Sequence, residues 1–508
     1  MIFWLLLLTS LAWLTMFRYR RRRMYQLSGP IPSTKLALPL FGTSYTMMGS
    51  SESKTSSSIE LVCIKGMFNK WLIFTAQTNP VDVEMLLKTA LEKDDLHRFF
   101  RKVIGNGGIF APVAIWRRRR KVLVPAFTPK LLENFVGVFY EKSCKLTKNL
   151  GAYAAGGRVK VWSMLFTASL DSICHTAMGL IINSQDEFAA LFSKALTKLL
   201  SITTVRMFYV WLQPEWIFNL SPYYKPFETS KATVFKFTDE MIRKKREEIK
   251  IQESSNAPTK DIRGLESYKN LSFLDLLITL SGRENGFTNL ELREEVITMT
   301  VAGSDTSAVT VGNTLKLLGK YPHIQDRVYD ELRDVFGDTG RPLDKEDLKR
   351  LVYLDRVIKE SLRLFPPVAF IARKIEEDTL LPSGPTLPAG SGVVISIWGL
   401  QRDPKYWGPT ADHFDPDRFL PERFQLAHPC SFMPFSQGPR NCVGFQYAMM
   451  SVKTQLATIL RRYKVIDHVE QGPVPHIAMK YDVMMKAVDG YEMAFEERTR
   501  TVSMTTKL

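Results

Sequence analysis

One cysteine near the carboxyl end of the chain lies in a segment that can hold a reactive sulfur. The segment PFSQGPRNCVGFQYAMMSVKTQLATIL covers 434–460 and runs into a long apolar helix. Its Gly438 predicts a tight turn before Cys442, and Gly444 permits close approach of another group as the helix begins. The helix N-terminus and the basic Arg440 both favour a thiolate over a thiol. Such a thiolate can be a nucleophile, a redox thiol or a metal ligand, and a buried structural cysteine is the alternative.

The middle of a long helix predicted over 289–319 carries a second chemically interesting group. Its sequence there is VAGSDTSAV, and Gly303 should cost about 1 kcal/mol in a helix relative to alanine. Either another helix packs closely at this glycine, or a bulky ligand lies against Ala302 and Gly303. In the second case Asp305 and Thr306 would bring an acid and a hydroxyl to that ligand.

The spacing E-x-x-R occurs three times, so the spacing alone carries little information. Only the copy at Glu360 and Arg363 is followed by RLFPP, then by FDPDRF at 414–419, and then by the cysteine segment. Glu360 and Arg363 lie three residues apart, on one helix face. The other copies, at 240–243 and 497–500, are interpreted as solvated surface charges.

Taken together, these segments resemble the cytochrome P450 family. FSQGPRNCVG fits the family's haem-binding pattern F-x-x-G-x-R-x-C-x-G at all five specified positions. The resemblance implies that Cys442 is the axial thiolate of a haem iron, a ligand that pushes electron density onto the iron and favours O–O cleavage. It also implies that Arg440 binds a haem propionate through charge-assisted hydrogen bonds. The haem-binding positions of this loop are Cys442, Arg440, Phe435, Gly438 and Gly444.

The same resemblance implies further haem contacts. WRRRRK at 116–121 resembles the W-x-x-x-R of the family's third major helix, so Trp116 and Arg120 are expected at the propionates. Arg373 resembles another propionate contact. The remaining arginines of the run, Arg117, Arg118 and Arg119, are interpreted as a solvated basic face. A structural salt-bridge network is implied for Glu360, Arg363 and Arg418.

The helix segment AGSDTS resembles the family's A/G-G-x-D/E-T-T/S stretch. This casts Asp305 and Thr306 as the catalytic acid–alcohol pair that directs protons to dioxygen at the iron. Position in the family also suggests a mostly apolar substrate pocket, for which ordinary core packing is the alternative. Its expected wall residues are Phe110, Val301, Ala302, Val368, Phe370 and Met484.

Within the family, VIGNGGIF at 103–110, ESLRLFPP and the cysteine loop resemble the microsomal branch that contains fatty-acid ω-hydroxylases and many insect enzymes. Many members of that branch carry a glutamate at the position of Ala302, and that glutamate can form an ester with the haem. Alanine cannot, which argues against fatty-acid ω-hydroxylation. The haem, an iron protoporphyrin IX, is therefore expected to be held non-covalently apart from the Cys442–iron bond.

Electrons must come from a partner, because the chain has no strand–GxGxxG–helix unit and no flavin-binding segment. The resemblance implies an NADPH-dependent flavoprotein reductase with an acidic docking face, and a b-type cytochrome is a second candidate donor. The basic run at 117–121, with Lys130 and Lys453, suits an acidic partner.

Charge and cysteine content limit the classes of function. The net charge is 68 − 52 = +16, but the excess is clustered and the chain contains no nucleic-acid-binding module, so no nucleic-acid partner is expected. The five cysteines form no readable disulfide framework, which places most of the chain in a reducing compartment.

Residues 1–17 carry no charged side chain, and the arginines of 18–23 follow them. A helix of this length spans about 25 Å, slightly less than a bilayer core of roughly 30 Å. A cleaved signal peptide is the alternative, but its charges would precede the apolar stretch and a small-residue cleavage site would follow. The positive-inside rule then places the body in the cytosol, and the resemblance to microsomal members of the family implies the endoplasmic reticulum membrane.

The rest of the chain is predicted to be mainly helical with a small β portion, an α+β pattern that fits the P450 fold. Helical periodicity is clearest at 188–206, 228–250, 289–319, 324–336 and 444–462, and the 289–319 helix has a capping box at Thr288 and Glu291. Short strands are predicted at 58–64, 70–75, 158–162, 392–397 and 492–495, and a polar surface loop at 251–270. The expected organisation is a transmembrane anchor at 1–17, a basic and Pro-rich hinge at 18–42, and one catalytic domain at 43–508.

The sequence thus predicts a membrane-bound haem-thiolate monooxygenase that inserts one oxygen atom of dioxygen into an apolar small molecule. Lipids, hormones and xenobiotics such as insecticides all remain open as substrates. A haem-thiolate isomerase or dehydratase is an alternative, against which Asp305 and Thr306 argue. A non-enzymatic haem or lipid carrier is another.

We expect acid and organic solvent to strip the haem completely, because Ala302 offers no carboxylate for an ester. Reversed-phase chromatography with mass spectrometry should then show apoprotein at the mass of the polypeptide and free haem in a separate peak. Haem that stays attached under these conditions would show that another residue forms the link.

Overall fold

The computed structural model describes residues 2–20, 22–28, 63–64, 74–77, 79–154, 157–181, 187–254, 272–281, 286–337 and 339–498. Helices dominate this part of the chain. They are α1 (Ile2–Arg20), α2 (Arg22–Ser28), α3 (Pro80–Thr89), α4 (Arg98–Ile104), α5 (Val113–Leu123), α6 (Pro129–Glu133), α7 (Val136–Gly151), α8 (Trp162–Thr176), α9 (Glu187–Phe208), α10 (Glu215–Leu220), α11 (Tyr224–Ser254), α12 (Phe273–Ser281), α13 (Asn289–Lys320), α14 (Pro322–Phe336), α15 (Lys345–Arg350), α16 (Val352–Leu364), α17 (Ile397–Leu400), α18 (Pro404–Trp407) and α19 (Phe445–Leu460).

Within the described ranges, the strands are short and form four small sheets. They are β1 (Cys63–Ile64), β2 (Phe74–Gln77), β3 (Val159–Lys160), β4 (Phe370–Lys374), β5 (Thr379–Leu380), β6 (Thr386–Leu387), β7 (Gly392–Ser396), β8 (Tyr463–Ile466), β9 (Met479–Asp482), β10 (Met484–Ala487) and β11 (Glu492–Glu497). The largest sheet has the order β1-β2-β7-β4, in which only β2 and β7 run parallel. The others are β3-β11-β8 and the pairs β9-β10 and β5-β6.

The prediction of a mainly helical fold with a small β portion is confirmed. All five helices predicted from periodicity form, as α9, α11, α13, α14 and α19. The strands predicted at 158–162, 392–397 and 492–495 form as β3, β7 and β11. Of the strands at 58–64 and 70–75, only the parts within β1 and β2 lie among the described residues. Most of the hinge at 18–42 and of the loop at 251–270 lies outside them, and residues 251–254 form the end of α11 rather than a loop.

Helix α13 is the central element, and it packs against α8, α11, α16 and α19. It begins at the predicted capping box of Thr288 and Glu291, in which each side chain bonds to the other residue's backbone N–H. Almost every residue beyond its first turn is buried, polar ones included. Several buried hydroxyls avoid the cost of desolvation by bonding to the carbonyl four residues earlier, as Ser304 does at 2.6 Å.

A fully buried ion pair ties α16 to the segment that leads towards the cysteine loop. Glu360 and Arg363 are both 0% exposed, and two hydrogen bonds of 2.6 and 2.8 Å join them. The same guanidinium also donates to the carbonyls of Gln401, Ala411 and His413. The Nε atom of Arg418 lies 3.5 Å from a Glu360 oxygen. The structure therefore brings together the three residues of the predicted network.

The N-terminal helix α1 exposes much of its apolar surface, including the side chains of Trp4, Leu5 and Leu8. Near its end, Arg23 of α2 forms an ion pair with Asp378 of the body. Within the described part of the chain, no helix combines the length and the apolar character that crossing a membrane requires.

We expect Arg363→Met to lower the free energy of unfolding by about 3–5 kcal/mol, because it leaves the Glu360 carboxylate buried without its partner. Denaturant unfolding followed by circular dichroism measures the change. The matched control is Arg243→Met, since Arg243 has the same E-x-x-R spacing to Glu240 but is exposed. This control should leave the unfolding midpoint unchanged, and equal losses in the two variants would contradict the structural role of the buried pair.

Candidate functional site

The cysteine loop is a tight turn fixed by its own backbone. The N–H of Cys442 donates to the carbonyl of Phe435 at 2.9 Å, and that of Asn441 donates to Gly438 at 3.1 Å. Gly438 has φ +74°, and a Cβ atom there would lie 2.8 Å from the carbonyl oxygen of Leu87 in α3. Glycine is therefore required twice over, by backbone conformation and by space. The turn predicted before Cys442 is present.

Two measures of the surroundings of Cys442 differ: its surface is accessible to solvent, but many protein atoms lie around its thiol. Its side chain is exposed, yet burial among neighbouring atoms raises the pKa of the thiol. The two observations agree if the sulfur borders a recess rather than the outer surface. The backbone N–H of Gly444 and the positive charge of Arg120 act in the opposite direction and favour the thiolate. The expected basic neighbour, Arg440, does not contribute to this pKa.

Arg440 instead belongs to a group of buried cations beside the loop. Its Nη2 atom donates to the carbonyl of Ala111 at 2.8 Å, and its guanidinium lies over the Trp116 ring at 4.5 Å. Burial lowers the pKa of Arg440 to about 10, although Glu92 opposes the shift. Burial and the charge of Arg440 together lower the pKa of Arg373 to about 10.

These arginines retain N–H groups that no described residue accepts. They are Nε of Arg373 and both Nε and Nη1 of Arg440, in side chains that are 1% and 8% exposed. Buried donors without partners are costly, and buried like charges more so. The carboxylates of a haem would satisfy both, so the donor set fits this cofactor. Arg120 lies at the edge of the group, bonded through Nη1 to the carbonyl of Asn441 at 2.9 Å.

The interpretation of Arg119 as a solvated residue is wrong. Arg119 is 1% exposed and forms ion pairs of 2.8 and 3.0 Å with Glu294 and Glu295 of α13. The two carboxylates also accept the N–H groups of Asn106 and Gly108. Arg119 therefore fixes the loop between α4 and α5 against the central helix. Arg117 and Arg118 are exposed, as expected.

Three residues in the middle of α13 are only half-buried, while those around them are buried. They are Ala302, Gly303 and Thr306, which the helical repeat places on one face. Because α19 begins directly after the cysteine loop and packs against α13, this face and the sulfur lie on neighbouring elements. At Gly303 the helix-packing alternative also holds, since a Cβ atom would lie 2.8 Å from the side chain of Ile173 in α8.

Asp305 and Thr306 are not bonded to each other. The hydroxyl of Thr306 donates to the carbonyl of Ala302 at 2.6 Å. The buried carboxylate of Asp305 accepts from Lys486 of β10 at 2.8 Å through Oδ1, and its Oδ2 has no hydrogen-bond partner among the described residues. Lys486 was not recognised in the sequence, because it lies 181 residues from its partner.

The six expected pocket residues come from four separate segments. Five are half-buried, and Val301 is buried at 9% exposure. Phe110 stacks on Phe100 with ring centres 5.1 Å apart, and Phe370 stacks on Tyr481 at 4.8 Å. The N–H of Met485 donates to the carbonyl of Pro367 at 2.9 Å, which fixes the strand of Met484 beside the segment of Val368. Aromatic residues that the sequence did not indicate, such as Tyr481, extend this apolar surface.

Comparison with known proteins agrees with this arrangement. The sequence profile described as cytochrome P450 matches residues 78–491. The chain is 33% identical to Cytochrome P450 4c21 of Blattella germanica, over 87% of this chain and 88% of the relative. It is 32% identical to Cytochrome P450 4c3 of Drosophila melanogaster, over 91% and 88%, and 33% identical to Cytochrome P450 4V2 of Homo sapiens, over 87% and 85%. These relatives confirm the branch predicted from the sequence.

Two glycines of the loop should respond differently to alanine. Gly438→Ala should destabilise the polypeptide by about 1–2 kcal/mol or more, because of its positive φ and the Leu87 carbonyl. Gly444→Ala meets only Phe127, at 4.0 Å, so the protein should fold but retain less haem if the cofactor lies against Gly444. Circular dichroism reports folding, and a haemochromogen assay reports haem content. Wild-type haem content in folded Gly444→Ala would contradict this placement.

Proposed function

The chain belongs to the cytochrome P450 family of haem-thiolate monooxygenases, and on that premise we propose that Cys442 provides the thiolate and that apolar small molecules are the substrates. One oxygen atom of dioxygen enters the substrate, and the other leaves as water after two electrons and two protons have been supplied. Bound haem supplies the activation of dioxygen, which the thiolate promotes by pushing electron density onto the iron.

The observation that carries the proposal is that Cys442 lies in the same loop as Arg440, which together with Arg373 has buried donors without acceptors among the described residues. Gly444 N–H and Arg120 stabilise negative charge on the sulfur. Arg373 and Arg440 offer unpartnered donors for two carboxylates. A simple buried cysteine would need none of these groups. We therefore assign the propionate contacts to Trp116, Arg120, Arg373 and Arg440, with Phe435 packed beside the loop.

Thr306 and Asp305 are proposed to control the delivery of protons. Thr306 is the only hydroxyl of the half-buried face of α13, so it can exchange its bond to the Ala302 carbonyl for one to a bound water or reactant. Asp305 lies next to it in sequence but behind this face. Its Oδ2 atom can accept a proton or a water while Oδ1 remains bonded to Lys486. Water must connect the two side chains, because they make no direct contact.

The substrate is proposed to lie between α13 and the β9–β10 hairpin. The assigned wall residues are apolar, and they position a molecule through shape and exclusion of water rather than through polar contacts. The accessible surface at Ala302 lacks the carboxylate that could tether the haem. Fatty-acid ω-hydroxylation is therefore not favoured over oxidation of hormones or xenobiotics.

A flavoprotein reductase is the proposed electron donor, and a b-type cytochrome a second one. Arg117, Lys121 and Lys130 are exposed and form no ion pair with a described residue, so their charges remain available to an acidic partner. Lys453 is a weaker candidate than the sequence suggested, because its ammonium pairs with Asp355 at 2.8 Å.

Helix α1 is proposed to attach the protein to the endoplasmic reticulum membrane, with the body on the cytosolic face. The exposed apolar side chains of the helix and the arginines that follow it support this proposal. Protease added to intact microsomes should digest the body, and protection of the body or N-glycans on it would contradict the orientation.

The function is tested with purified protein, reductase, NADPH and isotopically heavy dioxygen, against a panel of lipids and xenobiotics. We expect product that carries one heavy oxygen atom and that requires every component. Product formed without dioxygen would indicate an isomerase or dehydratase. Tight binding without any turnover would indicate a carrier.

Thr306→Ala should retain haem but divert electrons from NADPH to hydrogen peroxide, because the hydroxyl that directs proton delivery is lost. We expect a several-fold fall in product formed per NADPH. Thr310→Ala is the matched control, since this hydroxyl makes the same bond to the carbonyl four residues earlier but is buried at 6% exposure. Equal peroxide yields from the two variants would remove Thr306 from the proposed path.

A further inference from the structure

A buried lysine near the arginine group was not recognised in the sequence. Lys93 follows α3, and a backbone bond from the N–H of Lys374 to the carbonyl of Glu92, at 2.9 Å, fixes its segment against β4. This bond places Lys93 beside the end of the strand that carries Arg373. On the other side, the Lys93 ammonium lies 6.0 Å from the centre of the Phe110 ring.

Lys93 is 8% exposed and has no hydrogen-bond or ion-pair partner among the described residues. Its acidic neighbours in sequence are engaged elsewhere. Glu92 accepts the N–H of Val113 at 2.9 Å, and Asp94 accepts that of Leu96 at 2.8 Å. Asp95 lies 3.9 Å from Lys374. Lysine is almost never so deeply buried without a partner, so the protein alone does not account for this side chain.

The nearby charges make the position still less favourable for a cation. Burial lowers the pKa of Lys93 well below its ordinary value, and the positive charges of Arg373 and Arg440 lower it further, while the negative charge of Glu92 only partly opposes them. The lysine and the two arginines therefore repel one another electrostatically, and the two arginines also have donors without acceptors among the described residues. A ligand with negative charge would compensate all three. A carboxylate is the chemical group that matches an ammonium and guanidinium donors together.

We propose that Lys93 is a further haem-binding residue, whose ammonium donates to a propionate that Arg373 and Arg440 also bind. This inference rests on the proposed placement of haem at Cys442. A propionate, rather than the carboxylate of a substrate, is the expected partner because the two arginines connect Lys93 to the cysteine loop. The approach of its ammonium to the Phe110 ring also places the lysine beside the expected pocket wall.

The test compares Lys93→Met, which removes the charge, with Lys93→Arg, which keeps it, in substrate-free holoenzyme. Transfer of haem to excess apomyoglobin should be about tenfold faster for Lys93→Met and close to wild type for Lys93→Arg. The resonance Raman band of propionate bending should shift in the methionine variant alone. Lys88→Met is the matched control, because this nearby lysine is exposed and pairs with Glu84.

Unchanged transfer and an unchanged propionate band in folded Lys93→Met would overturn the proposal. So would a selective loss of affinity for fatty acids with both haem readouts intact, which would assign the lysine to a substrate carboxylate. If Lys93→Arg loses haem as fast as Lys93→Met, shape rather than charge matters and the proposal fails. The Soret position of the reduced carbon monoxide complex reports the axial ligand separately, because Lys93 is not part of the loop that carries Cys442.

Discussion

The fold depends on cations that the polypeptide buries without neutralising them. Arg373, Arg440 and Lys93 come from three separate segments, and none of them forms an ion pair with a carboxylate of the described residues, although the charge of Glu92 acts on Lys93 and Arg440. The cost of such burial is several kcal/mol per charge unless an anion compensates it. A dianionic haem meets that requirement, so cofactor binding and the stability of this region are expected to be coupled. The negative charges of the cofactor are thus expected to balance the buried positive charges of the polypeptide.

Two other buried arginines are paired with carboxylates of the polypeptide. Glu360 neutralises Arg363, whose guanidinium also binds three carbonyls between residues 401 and 413. Glu294 and Glu295 neutralise Arg119, and this cluster connects α5 to α13. Such pairs add little net stability over apolar packing, but they fix one arrangement of the segments. The Arg119 cluster fixes the loop that carries Ala111, whose carbonyl accepts from Arg440. The Arg119 ion pairs thereby help to orient Arg440, one of the cations proposed to bind the cofactor.

Much of the site could be predicted from sequence because its signals are local. The turn at Gly438, the capping box of α13 and the E-x-x-R copy before RLFPP each lie within a few residues. The burial of Arg119 could also have been inferred, since Trp116, Arg119 and Leu123 share one face of α5. Its carboxylate partners could not, because they lie 175 and 176 residues away. For the same reason Lys486 and Lys93 give no sequence signal: their significance lies in tertiary neighbours.

The central claim is that the Cys442 thiolate binds the haem iron, and the reduced carbon monoxide spectrum tests it most directly. Cys430 provides the control, because it lies in the same region but is buried and bonded to Gln437. The wild-type protein and Cys430→Ser should both show the red-shifted Soret band typical of thiolate ligation, and Cys442→Ser should lack it. A Cys442→Ser protein that binds haem and keeps the thiolate band would contradict the account.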